Sequence, residues 1–97
     1  MAEKIKWSPK ALASFGEICN HIAVDSEYYA KLFASKIFSI VEGIPLFPKM
    51  GRVVPEYGDT NLREKLYQNY RIVYRIKKDI IEIVAITHGA RVLKNII

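Results

Sequence analysis

Ninety-seven residues can enclose one hydrophobic core and not two, so the chain reads as a single domain spanning 1–97. At 51% hydrophobic and 26% charged residues the composition is globular, and no apolar run nears the roughly 18 residues of a membrane helix. With no secretory core after Met1 and only one cysteine, Cys19, a cytoplasmic protein is expected, with no internal disulfide, no cysteine-based metal cluster and no membrane contact.

The chain opens on a short alternating strand, Glu3 to Trp7. Ser8-Pro9 then signals a helix start, with Ser8 as N-cap and Pro9 at the first helical position, where a missing N–H costs nothing. Leu12, Phe15, Ile18, Cys19 and Ile22 recur at helical spacing, which makes Cys19 a core residue; His21 lies off that stripe, in water. Asp25-Ser26 signals a second cap, and Tyr29, Leu32, Phe33, Ile37, Ile40, Val41 and Ile44 continue helical spacing to Pro45. The short gap between the helices predicts an antiparallel hairpin, with Lys31 and Lys36 on its wet face. Leu46 and Phe47, between two prolines, are expected to cover the core edge, and Gly51 to Gly58 reads as a loop or ragged edge strand.

Tyr70 to Ile76 alternates with period two, and Ile80 to Ile86 is a second β-branched run after Lys78-Asp79. A two-residue loop there pairs Lys77 with Ile80, Arg75 with Glu82, Val73 with Val84 and Arg71 with Ile86. In that register Arg71, Arg75 and His88 share one face, while Tyr70, Ile72, Tyr74, Ile76, Ile81 and Ile83 are buried on the other. Arg75 would pair with Glu82 and Arg63 with Glu64, whereas Arg71 has no cross-strand carboxylate and is left for an outside anion. The net charge of +5 is concentrated here: residues 51–97 hold nine Lys/Arg against five Asp/Glu, residues 1–50 six against five. Such a basic half favours a polyanion or an acidic protein as partner.

Five segments, in order, resemble the RelE/ParE superfamily of toxins from type II toxin–antitoxin pairs, the plasmid stabilisation proteins. They are Trp7-Ser8-Pro9-Lys10-Ala11, Phe47-Pro48-Lys49-Met50-Gly51-Arg52, Leu62-Arg63-Glu64, Tyr70-Arg71-Ile72-Val73-Tyr74 and Ile86-Thr87-His88-Gly89-Ala90-Arg91. The likeness implies an α+β fold in the order β-α-α-β-β-β: a small curved antiparallel sheet with the helical hairpin on one face. It also implies a growth inhibitor neutralised by a cognate antitoxin through an acidic or amphipathic segment, with no cofactor, metal or small-molecule ligand.

The superfamily divides by target. RelE-like members cut mRNA on the ribosome by metal-independent attack of a 2′-hydroxyl; here Arg71 and Arg91 would hold the phosphate, Lys65 would assist and His88 would move the proton. The tyrosine such enzymes place beyond the Arg91 position is missing, since the chain ends Val92-Leu93-Lys94-Asn95-Ile96-Ile97. ParE-like members bind DNA gyrase and do no chemistry, and the Pro48-to-Arg52 turn and the apolar ending look more ParE-like. The resemblance therefore slightly favours gyrase inhibition, with the mRNA endonuclease and a non-toxic, antitoxin-binding relic as alternatives. Residues expected to meet target or antitoxin are Arg71, Arg91, Arg63, Tyr67, Leu93, Ile96 and Ile97.

Overall fold

A computed structural model describes residues 4–93. The elements run β1 (Lys4–Trp7), α1 (Pro9–Asp25), α2 (Glu27–Gly43), two 3-10 turns (Ile44–Leu46 and Pro48–Met50), β2 (Arg52–Val53), β3 (Leu62–Tyr67), β4 (Tyr70–Lys77) and β5 (Ile80–His88). The sheet order is β1-β5-β4-β3-β2. The expected α+β architecture is present, with two differences in detail. The sheet is mixed, because β1 runs parallel to β5 at one edge, and the segment after Gly51 adds the two-residue strand β2 at the other.

Local chemistry delimits the helices as anticipated. The Ser8 hydroxyl accepts from the Ala11 N–H at 3.0 Å, and Pro9 opens α1. Ser26 does double duty: its N–H donates to the Ile22 carbonyl at 2.9 Å, ending α1, and its hydroxyl accepts from Tyr29 N–H at 3.1 Å, starting α2. Phe15 from α1 and Phe33, Ile37 and Val41 from α2 bury themselves against Ile72, Tyr74, Ile81, Ile83 and Ile86 of β4 and β5. Cys19 packs at the margin of this core, where burial pushes its thiol up from the ordinary value.

The two-residue loop at Lys78-Asp79 forms, with Asp79 at φ 62°, and Arg75 does stand opposite Glu82. One turn further the register departs from expectation. A β-bulge leaves Val84 unopposed, so Tyr74 pairs with Ile83 and Val73 with Ala85, then Ile72 with Ile86, Arg71 with Thr87 and Tyr70 with His88. The extra residue inverts the alternation of β5. His88 therefore moves to the helical face beside Tyr70, with ring centroids 4.8 Å apart, and no longer shares a face with Arg71. Val84 and Ala85 instead join Val54, Leu62, Val73 and Leu93 in a second, smaller core on the back of the sheet, so the single core expected from the chain's length is divided by the sheet into two.

Leu46 and Phe47 do not cover the core edge. The prolines turn the connection into two 3-10 turns that present Leu46, Phe47 and Met50 to solvent, each at least 66% exposed.

Candidate functional site

The back of the sheet centres on Arg71, whose side chain is 4% exposed. Alternation on β3 puts Glu64 on the same face as Arg71, and Glu64 Oε1 accepts from Arg71 Nε at 2.6 Å. Glu56, on the loop between β2 and β3, receives Nη1 and Nη2 in a fork, both at 2.8 Å. Nη1 also donates to the Arg91 carbonyl at 3.1 Å. The other Glu64 oxygen accepts from Arg52 Nε, and Glu56 Oε2 accepts from the Leu93 N–H at 3.2 Å. Two cations thus face two carboxylates in an alternating row, which is how charge is tolerated out of water.

The arrangement stabilises both charge states. The Arg71 fork, helped by the Leu93 N–H and opposed by desolvation, pushes the Glu56 carboxyl down to about 2. Arg71 is raised in turn, first by Glu56 and then by Glu64, against desolvation. Mechanically the row is a clasp: it ties the loop carrying Glu56 to the sheet and fixes the backbone of Arg91 and Leu93 against it. Leu93, 1% exposed, closes over the small back core.

This corrects the reading of Arg71 as a solvent-facing contact. Its guanidinium is sealed, and its partners are carboxylates of its own chain. Leu93 is likewise core and not surface, because its side chain completes the apolar cluster behind β4 and β5. Arg63 does not pair with Glu64; its Nε donates to Thr60 O at 2.8 Å and its Nη1 to Lys49 O and Gly51 O at 3.1 Å each, bracing the 3-10 connection. Arg75 meets Asp59 at 3.8 Å, and Glu82 goes to Lys77 at 3.1 Å. Tyr67 packs toward Phe33, at 6.2 Å between centroids, rather than standing free. Lys65 pairs with Ile72 on the face opposite Arg71.

Two of the named residues stay open to a partner. His88 is exposed at the end of β5, and the exposed Arg91 makes no salt bridge among the described residues. Both line a groove with Lys10 and Ser14 of α1. Ile96 and Ile97 lie outside the described residues. Sequence reasoning missed Glu56, Glu64 and Arg52. Glu64 left a signal: in Leu62-Arg63-Glu64-Lys65-Leu66 it occupies an apolar position of the alternation, where a carboxylate needs a buried cation. Glu56 left none, because nothing local says where its loop folds.

The motif Pro48 to Arg52 also acquires a physical reason. The Tyr74 hydroxyl donates to the Pro48 carbonyl, and Gly51 lies so close that a Cβ there would stand 2.8 Å from the Glu64 carbonyl oxygen. Glycine is needed for close approach, and Arg52 follows it to reach Glu64.

Comparison with known proteins agrees with this fold. A chain of the chromosomal ParDE TA system from P. aeruginosa superposes with a TM-score of 0.74 at 21% identity, over 90% of this chain and 96% of that one. No curated protein matches. The ParE toxin of type II toxin–antitoxin system (parDE) matches residues 5–93, which spans every described strand and helix but the first residue of β1. By that match the chain belongs to the ParE toxin family of type II toxin–antitoxin systems.

Proposed function

We propose that this toxin inhibits growth by binding DNA gyrase in the cytoplasm, as a single non-catalytic domain, and is neutralised by a cognate antitoxin. The observation that carries the choice of target is the state of Arg71. RNA cleavage by 2′-hydroxyl attack needs cations free to gather round a phosphate. Arg71 donates to Glu64, to Glu56 and to the Arg91 carbonyl, with its side chain 4% exposed, so it has little left to offer a substrate. Of the other candidates, Lys65 stands on the face opposite Arg71, while His88 and Arg91 share the groove beside α1. With Arg71 engaged by Glu56 and Glu64, the pair of arginines expected to hold a phosphate is not assembled, which suits a binding protein better than an enzyme.

In this reading the target meets the end of the sheet where His88, Arg91 and Val92 are exposed, the last at 57%. The test runs two assays on the purified chain and on cells expressing it. Gyrase supercoiling should be inhibited and broken DNA should accumulate while mRNA stays whole by primer extension; Arg91→Glu should weaken the inhibition. Ribosome-dependent mRNA cuts with normal supercoiling would replace this reading with the endonuclease, and harmless expression in both assays with the non-toxic relic.

A further inference from the structure

We propose that Glu56 is a positioning residue for target recognition: it fixes the strap that follows β5, so that Arg91 and Val92 face the target in one set geometry. The inference rests on the reading of the His88-to-Val92 end as the target contact, and names what shapes that end. Residues 89–93 have left the sheet, yet their backbone is tied at four points. The Gly89 N–H donates to Asn69 O at 2.6 Å and the Arg91 N–H to His88 O at 3.1 Å. The Arg91 carbonyl accepts from Arg71 Nη1 at 3.1 Å, and the Leu93 N–H donates to Glu56 Oε2 at 3.2 Å. The last two ties depend on one carboxylate. Glu56 Oε2 takes the Leu93 amide directly, and it also accepts at 2.8 Å from the Nη1 that reaches the Arg91 carbonyl, which aims that nitrogen.

Glu56 is itself held firmly. The Tyr57 and Gly58 N–H groups both donate to Val54 O, at 3.1 and 3.0 Å, closing a turn around it, and Val54 is fully buried beside Leu93 in the back core. Its loop is therefore a base and not a free arm. The Leu93 side chain fastens the far end of the strap in that core, while Arg91 and Val92 just before it turn outward into solvent. Such an arrangement favours binding, because a loose strap would have to be ordered on contact and the lost entropy would be subtracted from affinity. Neutralising Arg71 does not by itself account for the geometry. Glu64 already accepts from Arg71 Nε at 2.6 Å, and a carboxylate serving charge alone has no need to reach the Leu93 amide.

The test is a double-mutant cycle on the full chain. Its readout is the concentration that half-inhibits gyrase supercoiling, at a temperature where circular dichroism shows each variant folded. Glu56→Ala should raise that concentration about tenfold or more and open the Leu93 amide to hydrogen exchange. Added to Arg91→Ala, it should raise it by less than about threefold further, because the guanidinium to be positioned is gone. Ile37→Val, which weakens the main core away from the strap, should inhibit like the parent. Glu56→Gln, which keeps the shape but not the charge, should show the coupling in smaller measure and serves where Glu56→Ala is unfolded. Equal factors in the two backgrounds, unaltered inhibition, or a Leu93 amide still protected in Glu56→Ala each overturn the positioning role. A parent that leaves gyrase unaffected removes the target reading alone. The cycle is then read from growth arrest on expression, where non-additivity upholds the role of Glu56 and additivity overturns it; a parent that arrests no growth removes both.

Discussion

Arg71 and Arg91 are twenty residues apart and joined by one hydrogen bond, yet they belong to different physical worlds. Arg71 is a buried, fully countered cation; Arg91 lends its carbonyl to the clasp and keeps its guanidinium in solvent. Arg71→Ala would leave Glu64 buried with half its compensation and Glu56 without its fork, so a loss of about 3 kcal/mol is expected in urea unfolding. Arg91→Ala should leave the unfolding midpoint unchanged. An Arg71→Ala protein as stable as the parent would show that the clasp contributes nothing. Glu56 supplies a pH signature. Its folded carboxyl, at about 2, sits below the ordinary 4.5, so the stability it adds is complete above the unfolded value and lost as pH falls toward 2. Glu56→Gln should therefore lower stability at neutral pH and flatten its fall between about pH 5 and about pH 2, measured by urea midpoints across that range.

At the level of elements, two small devices decide what the sheet displays. The bulge at Val84 lets β5 serve the main core with Ile81, Ile83 and Ile86 and the back core with Val84 and Ala85. The Gly51 corner brings β2 against β3 so that Arg52 stands opposite Glu64. Gly51 has φ −68°, an ordinary value, so its requirement is space and not backbone freedom. Gly51→Ala should cost about 1–3 kcal/mol, because the new methyl meets both the Tyr74 hydroxyl, held by Pro48 O, and the Glu64 carbonyl of a paired strand, which cannot swing aside. A thermal midpoint unaffected by this substitution would contradict the close packing at the corner.

Across the whole molecule, helix positions, the hairpin loop and the burial of Tyr74, Ile72, Ile81 and Ile83 were legible in the sequence. Each depends on periodicity, capping or turn chemistry among residues a few positions apart. The bulge was not legible, since Val84 reads as one more β-branched residue and only the fit of two cores selects it as the extra one. The exposure of Leu46 and Phe47 was not legible either, because composition cannot say which way a proline-bounded turn faces. The amino-acid order alone therefore determined the α+β elements, the family likeness and the basic character of residues 51–97. The tertiary structure alone decided that Arg71 is clasped inside and Arg91 left outside. Arg71 meets Glu56 across fifteen residues, and the Arg91 carbonyl across twenty, so the energy that distinguishes the two arginines exists only once those segments have come together.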